Sequence, residues 1–254
     1  MAEKTLKTQR DDNNNKFIST NVDNRVVSQV DLQDEIRKQR NKRLLVMTML
    51  VFALILTVVY GTLESPISYT LSNIGNFFNY RIFFIVWAIV AGLAIQTAIL
   101  AMFRLEGWNN PYALWFTALS SLFLIMAAFI PAIKTEYPFW HLLHTICAGL
   151  HAFFILLAFT PFIRWLTKEN PRLRLFSNIW FLVIWVGSFL IAVFLGKSGL
   201  FELWFFVSLI LYLLYFSVVM FEERIILLTY EFVRETKNHE MDFEIIFSKT
   251  PDEL

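Results

Sequence analysis

The sequence predicts an all-α, polytopic membrane protein with six transmembrane helices and both termini in the cytoplasm. Composition is the first reason: 57% of the 254 residues are hydrophobic and only 17% are charged, whereas a soluble domain carries about 25% charged residues. The second reason is six apolar stretches of 19 to 24 residues, each long enough to cross about 30 Å of hydrocarbon. The third is the unequal distribution of lysine and arginine on the two sides of these stretches.

The chain begins with a polar tail, 1–43, that is rich in Asp, Asn, Gln, Lys and Arg. Such a segment buries too little apolar surface to offset the entropy that ordering costs, so we predict that it is disordered. Its last seven residues, 37–43, form a basic run directly before the first apolar stretch. We interpret this run as a topology anchor, with binding to anionic lipids or nucleic acid as the alternatives.

Six predicted spans follow the tail. They are 44–63, 82–103, 112–133, 140–163, 177–195 and 200–220. Asn110 and Pro111 form a capping sequence for the third span, because Asn suits the N-cap and Pro the first helical turn. The spans make up a transmembrane domain, 44–220, which is followed by a cytoplasmic helix and an acidic tail in 221–254.

The positive charges near the membrane predict the orientation of the spans. One side carries 14 lysines and arginines, whereas the other carries three, Arg81, Lys134 and Lys197. Because the more positive side usually faces the cytoplasm, we expect a multi-pass protein of the cell membrane with cytoplasmic N- and C-termini.

Small residues at a spacing of four predict where helices pack. Ala88, Gly92 and Gln96 share one stripe of the second span, and Ser120 and Ser121 lie in the third. In a bilayer, small residues let helices approach closely, and amides or hydroxyls hydrogen-bond across the interface. We therefore predict a packing face in which the buried polar residue Gln96 joins two helices, with a substrate contact as the alternative.

Three of the four histidines, His141, His144 and His151, lie on one stripe of the fourth span. Since a helix rises about 1.5 Å per residue, His151 lies about 15 Å deeper than His141. At that depth it does not reach the lipid head groups, so we predict a buried partner such as Gln96, Ser120 or a water. We interpret His151 as a packing or relay residue and expect a functional site only at the outer end of the stripe.

Polar residues also gather at the predicted outer side of the membrane. The first outer loop, 64–76, is rich in Ser and Asn yet apolar every few residues, so we expect it to enter the bundle as a short helix that ends near Gly75. Glu136 precedes the fourth span and Glu202 opens the sixth. We predict an outward-facing polar pocket at this end, with Arg81 as an anion contact. Its predicted ligand-binding residues are Ser72, Asn73, Arg81, His141, His144 and Glu202.

The chemistry of this cluster is open to several interpretations. His141 and His144 would bind a metal ion with Glu202, Glu136 or Glu64 as the oxygen ligand, although the sequence has no HExxH motif. A proton relay through Glu202 and the histidines is a second interpretation. In a third, the histidines hydrogen-bond to neighbouring helices or to lipid head groups. Haem held between two helices is disfavoured, because its axial histidines would have to lie on different helices, whereas His141, His144 and His151 all lie on the fourth span. The cofactor is therefore left undetermined.

Three short motifs occur in a recognisable order. The first outer loop carries a Ser/Gly motif in 68–75, a histidine is followed by small and Phe residues in 144–154, and the acidic Glu202 opens the last span. This order resembles a bacterial six-span membrane family of unknown function and, more distantly, the DRAM-like autophagy modulators and GPI-lipid-remodelling membrane proteins. The chain departs from the pattern in the Leu that follows Glu202 and in the additional His141. The resemblance implies six spans and a lipid-related role at the outer leaflet, and no established reaction.

We therefore predict a membrane protein that binds or handles lipid-like ligands through the outward-facing pocket, with a regulatory role. One alternative is a metal-dependent lipid hydrolase or acyltransferase, in which His141 and His144 bind the metal and Glu202 is a ligand or general base. Others are a proton-coupled carrier and a subunit of a larger membrane complex. Phosphate-binding loops, nucleophile elbows and repeats of about 20–50 residues are absent. The expected partners are membrane lipids and a membrane protein or a second copy of the chain, and no nucleic acid.

Overall fold

The computed structural model describes the backbone of residues 2–168, 171–196 and 198–248, and side chains within 31–168, 173–196, 198–234 and 236–237. Over these ranges the chain is all-helical. The helices are α1 (Ala2–Gly61), α2 (Leu71–Phe77), α3 (Arg81–Leu105), α4 (Pro111–Phe129), α5 (Pro138–Leu166), α6 (Pro171–Leu195) and α7 (Gly199–Ser248). All except α2 are long and apolar enough to cross a membrane. This confirms the prediction of an all-α chain with six helices able to span a bilayer.

The chain falls into two compact units. One is 43–220, and the other consists of 1–42 and 221–254. The backbone of α1 is helical from Ala2, in the tail for which the sequence predicts disorder. The side chains of 1–30 lie outside the described residues, so the predicted domain division stays a prediction.

Helix α7 continues beyond the last predicted span without a break. The hydroxyls of Thr229 and Thr236 donate to the carbonyls four residues earlier, over 2.7 and 2.9 Å, as in a regular helix. The helix that the sequence predicts after the last span is thus continuous with the helix of that span. The end of the predicted acidic tail, 249–254, lies outside the described residues.

Two predicted helix boundaries are wrong. The third span is predicted to end at 133, but α4 ends at Phe129 because Ile130 is extended, with ψ of 132°. The cause is Pro131, since proline disfavours helical backbone in the residue before it. The fifth span is predicted to begin at 177, but α6 begins at Pro171, a residue well suited to the first turn of a helix.

The stripe of small residues on α3 packs against α4. A Cβ atom on Gly92 would lie 2.7 Å from Leu124 Cδ2, so a larger residue at this position would require the Leu124 side chain to move. Ser121 Oγ donates to Gln96 Oε1 over 2.8 Å and joins α3 to α4, as predicted for this amide. The two helices are therefore held by close packing, by this hydrogen bond and by a second one from Arg81 of α3 to the carbonyl of Phe129 in α4.

Tyr60 of α1 contacts both helices that follow it. Its ring stacks on Trp87 of α3, with the ring centroids 5.7 Å apart. The Tyr60 hydroxyl donates to the carbonyl of Leu71 in α2 over 2.7 Å. Trp87 Nε1 in turn donates to Thr57 Oγ1 over 3.0 Å. These contacts fix α2 and the beginning of α3 against α1.

Candidate functional site

Helix α2, Leu71–Phe77, is the part of the first predicted outer loop that enters the bundle. Its N-cap is Thr70, whose Oγ1 accepts a hydrogen bond from the Asn73 amide over 3.1 Å. The helix extends two residues past Gly75, where the sequence predicts its end. A Cβ atom on Gly75 would lie 2.7 Å from Phe84 Cβ. This glycine therefore permits contact with α3 and does not terminate the helix.

Glu202 of α7 holds the first turn of α2. Its Oε2 accepts a hydrogen bond from the backbone N–H of Leu71 over 2.7 Å, and this N–H has no partner within the helix. The Leu200 amide donates to the carbonyl of Pro66 over 2.7 Å, so the loop before α2 also contacts α7. A Cβ atom on Gly199 would overlap a backbone carbonyl of that loop. Gly199 therefore allows the approach that brings Glu202 to α2.

A pocket of about 250 Å³ lies between α2, α3, α4, α5 and α7. Its volume is just below the range of typical small-molecule pockets, which is about 300–1,000 Å³. The side chains that bring oxygen or imidazole nitrogen to its lining are Ser72, His144, Thr145, His151 and Glu202. Because His151 lies seven positions after His144 on α5, the pocket extends about 10 Å along this helix.

The other walls of the pocket are apolar apart from one indole nitrogen. The aromatic residues of the lining are Phe84, Trp87, Phe201, Phe205 and Phe206. The aliphatic ones are Ala88, Leu124, Ala127, Ala128, Ala148, Gly149 and Ala152. Short side chains on α3, α4 and α5 thus leave the space that the aromatic rings border. Within the described residues, neither lysine nor arginine lines the pocket.

All three histidines of α5 use Nδ1 to hydrogen-bond with backbone carbonyls of α4 or of the segment that follows it. The pairs are His141 with Ala132 (2.8 Å), His144 with Ala127 (2.8 Å) and His151 with Ser120 (3.0 Å). A carbonyl oxygen only accepts, so Nδ1 carries the proton in each ring. The predicted partner of His151 is therefore present in Ser120. The stripe joins α5 to α4 at two heights and to the segment after α4 at a third.

The contacts of His141 and His144, together with one from Arg81, give hydrogen-bond donors to backbone carbonyls at and just after the end of α4. The carbonyls of the last helical turn lack partners within a helix. Ala127 is followed four positions later by Pro131, which has no N–H to donate. His144 supplies that hydrogen bond. Arg81 Nη2 donates to the carbonyl of Phe129 over 2.7 Å.

The structure brings together three of the predicted ligand-binding residues. Ser72, His144 and Glu202 line one pocket, although they lie on three helices, and His151 lines it too. Sequence reasoning missed the aromatic wall that includes Phe206. Its signal is weak, because the chain contains 27 phenylalanines and one more Phe in an apolar helix indicates nothing specific.

The other three predicted ligand-binding residues do not line the pocket. Asn73 lies in the first turn of α2, where Thr70 accepts its backbone N–H. Arg81 also donates through Nη1 to Asn76 Oδ1 over 2.5 Å, so it connects α2, α3 and the end of α4. His141 is half-buried beside the segment after α4. The contacts described for Arg81 and His141 are those of residues that hold helices together.

The predicted metal site gains no support from the arrangement. In the part of the chain that is described, no group of three or more His, Cys, Asp or Glu residues is placed to hold a metal ion. Glu136 is exposed, and His141 does not line the pocket with His144 and Glu202. The metal-dependent hydrolase or acyltransferase therefore stays a prediction.

No protein-family model matches this chain, and comparisons with curated proteins and with solved structures likewise found no match. What the pocket binds is therefore inferred from its own geometry and chemistry.

Proposed function

We propose that the protein binds lipid-like amphiphiles in the pocket between α2, α3, α4, α5 and α7, and that this binding has a regulatory role. The observation that carries the proposal is that the pocket lining has a polar part and an apolar part. Ser72, His144 and Glu202 bring polar groups to one end, and Phe205 and Phe206 lie further along α7. An amphiphile has the same division, with a polar head group and an apolar chain.

The charges of the lining favour a neutral or cationic head group. Glu202 is acidic, and none of the lining residues among those described is a lysine or arginine. The Glu202 carboxylate would repel an anionic head group, and such repulsion is strong in a site of low dielectric constant. Arg81, the predicted anion contact, lies outside the lining. Hydroxyl and amine head groups fit this site best.

Gly149 offers a route from the hydrocarbon into the pocket. It lines the pocket and is exposed, on the stripe of α5 that also carries exposed Leu142, Ile146 and Phe153. A Cβ atom on Gly149 would meet no atom within 4 Å. An alkyl chain would thus enter sideways between α5 and its neighbours, as expected for a ligand that arrives from the bilayer.

The proposed lipid-related role, location in the cell membrane and orientation rest on the sequence. The three stretches that resemble lipid-remodelling proteins contribute Ser72, His144 and Glu202 to the pocket. The 14 positive residues on one side and three on the other support a cell-membrane protein with cytoplasmic termini and a pocket toward the outer leaflet. Membrane lipids are the proposed partners. The most apolar window of α6 is only 11% buried, which leaves surface for lipids, another membrane protein or a second copy.

Native mass spectrometry with a pocket-filling variant tests the proposal. Ala148 lines the pocket, so Ala148→Leu places additional carbon atoms in it, whereas Ala192 is exposed on α6 and Ala192→Leu makes the same change elsewhere. We expect the purified wild type and Ala192→Leu to retain a lipid-sized ligand, and Ala148→Leu to retain several-fold less. Equal retention by all three proteins would refute the proposed site, provided that their thermal stabilities agree.

A further inference from the structure

His151 lies at the inner end of the pocket with a hydrogen-bonding atom that no described residue uses. Its side chain is 3% exposed and lines the pocket. The ring stacks on Phe206, with the centroids 5.9 Å apart and the planes inclined by 16°. Its Nε2 atom is buried, and among the described residues it has no hydrogen-bond partner. Buried polar atoms normally have a partner, so this one points to a ligand.

The other ring nitrogen determines what Nε2 offers. Nδ1 lies 3.0 Å from the Ser120 carbonyl and 2.9 Å from the Ser120 hydroxyl, while that hydroxyl donates to the carbonyl of His151 over 3.1 Å. The Ser120 carbonyl only accepts, so Nδ1 carries a proton. A second proton on Nε2 would create a buried cation without a described acceptor, which is costly. The ring is therefore neutral, and Nε2 is a hydrogen-bond acceptor.

We infer that the inner end of the pocket accepts a hydrogen bond from the ligand, and that the ligand is an amphiphile with two donor groups. This inference rests on the proposed function and specifies its ligand class. The first donor lies at Ser72 and Glu202. The second is a hydroxyl or amine beside His151. The helical rise along α5 from His144, which lines the pocket with Ser72 and Glu202, to His151 is about 10 Å.

The two polar positions and the lining between them define the apolar part of this ligand. The lining between the polar side chains consists of aromatic and small residues, such as Phe205, Phe206 and Ala148. A single alkyl chain joins two polar groups across such a lining. The ligand that we specify is a single-chain amine or alcohol that carries a second hydroxyl or amine along the chain.

Three related probes test the inference on the full-length protein in lipid nanodiscs. They are n-octylamine, its ω-hydroxy derivative and its ω-methoxy derivative, and only the hydroxyl donates a hydrogen bond at the far end. Binding is followed by tryptophan fluorescence, because Trp87 lines the pocket. For the wild type we expect the ω-hydroxy probe to bind about 3- to 10-fold more tightly than the ω-methoxy probe, the range expected for one neutral hydrogen bond.

Two variants distinguish the contribution of Nδ1 from that of Nε2 in His151. His151→Asn keeps an amide donor near the position of Nδ1 but has no atom at Nε2, whereas His151→Gln places an amide near Nε2. We expect the preference for the ω-hydroxy probe to disappear in His151→Asn and to persist in His151→Gln. A preference that survives in His151→Asn would overturn the inference.

The wild-type protein alone also decides the question, whether or not the variants fold. Equal binding of the ω-hydroxy and ω-methoxy probes, with n-octylamine still bound, would overturn the acceptor site at His151 and leave the proposed function intact. Failure to bind any of the three probes would overturn both.

Discussion

His144 donates its Nδ1 proton to the backbone carbonyl of Ala127 over 2.8 Å and thereby completes the end of a neighbouring helix. The carbonyl lacks a donor within α4, because the residue four positions later is Pro131. Both partners are buried. His144 thus completes the hydrogen bonding at the end of α4 and also lines the pocket. The effects of its substitution on stability and on binding therefore have to be measured separately.

Replacement of His144 by alanine is expected to destabilise the protein. His144→Ala leaves the Ala127 carbonyl buried and unpaired, and we expect the free energy of unfolding to fall by about 1–3 kcal/mol. His144→Asn keeps a donor near the position of Nδ1 and should recover most of this loss. Chemical denaturation of the purified variants in detergent, followed by circular dichroism, measures both. If His144→Ala is as stable as the wild type, the hydrogen bond contributes nothing.

Gly199 and Gly149 are expected to respond in opposite ways to the same substitution. The Cβ atom of Gly199→Ala would overlap the carbonyl of Tyr69, so the loop has to move away from α7, at a cost of about 1–3 kcal/mol in unfolding free energy. Gly149 lies within α5 with open space around it, so Gly149→Ala should stabilise the helix by about 0.5–1 kcal/mol. Thermal unfolding of the two variants compares them, and equal effects would disagree with the described contact at Gly199.

Removal of the charge of Glu202 is expected to weaken the binding of amines selectively. Glu202→Gln keeps an oxygen that accepts from the Leu71 amide but loses the negative charge. Because hydrogen bonds to charged groups are roughly twice as strong as neutral ones, we expect the affinity for n-octylamine to fall about 5- to 10-fold and that for n-octanol to change little. Fluorescence titration measures both ligands. An equal loss of affinity for n-octylamine and n-octanol would contradict a direct contact between the amine and the charge of Glu202, and would leave this residue only the role of holding α2 in place.

The proposed orientation is tested by labelling of single cysteines. Ser68 is exposed in the loop before α2, Glu231 is exposed on α7, and the native Cys147 is buried, so background labelling is low. We expect a membrane-impermeant maleimide to label Ser68→Cys in intact cells and Glu231→Cys only after permeabilisation. The reverse pattern would show that the termini lie outside.

The helical architecture was predictable because hydrocarbon imposes a minimum length on each apolar stretch. The interhelical hydrogen bond of Gln96 was predictable for a similar reason, since a polar group at that depth needs a partner. The roles of His141 and Arg81 were harder to predict, because a polar residue beside an apolar span indicates a ligand as readily as a helix end. One useful signal was present in the sequence, since Pro131 leaves the carbonyl of Ala127 without a donor.

The aromatic wall of the pocket was not predictable from local sequence. Phe205 and Phe206 belong to an apolar run in which every residue suits a transmembrane helix. In the folded chain, the Phe206 ring lies against Trp87 of α3 and His151 of α5, both of which are distant in sequence. Pocket linings of this kind depend on contacts between distant parts of the chain, and no pattern within one helix indicates them.

Photo-crosslinking with a single-chain amine tests the central claim most directly. The probe carries a diazirine in its alkyl chain, and the adducts are located by mass spectrometry of peptides from the full-length protein in nanodiscs. We expect adducts to concentrate in 144–152 and 201–206 and to decrease when unlabelled n-octylamine is added. Adducts that are confined to exposed faces such as α6, and that n-octylamine does not reduce, would contradict the claim that this pocket binds amphiphiles.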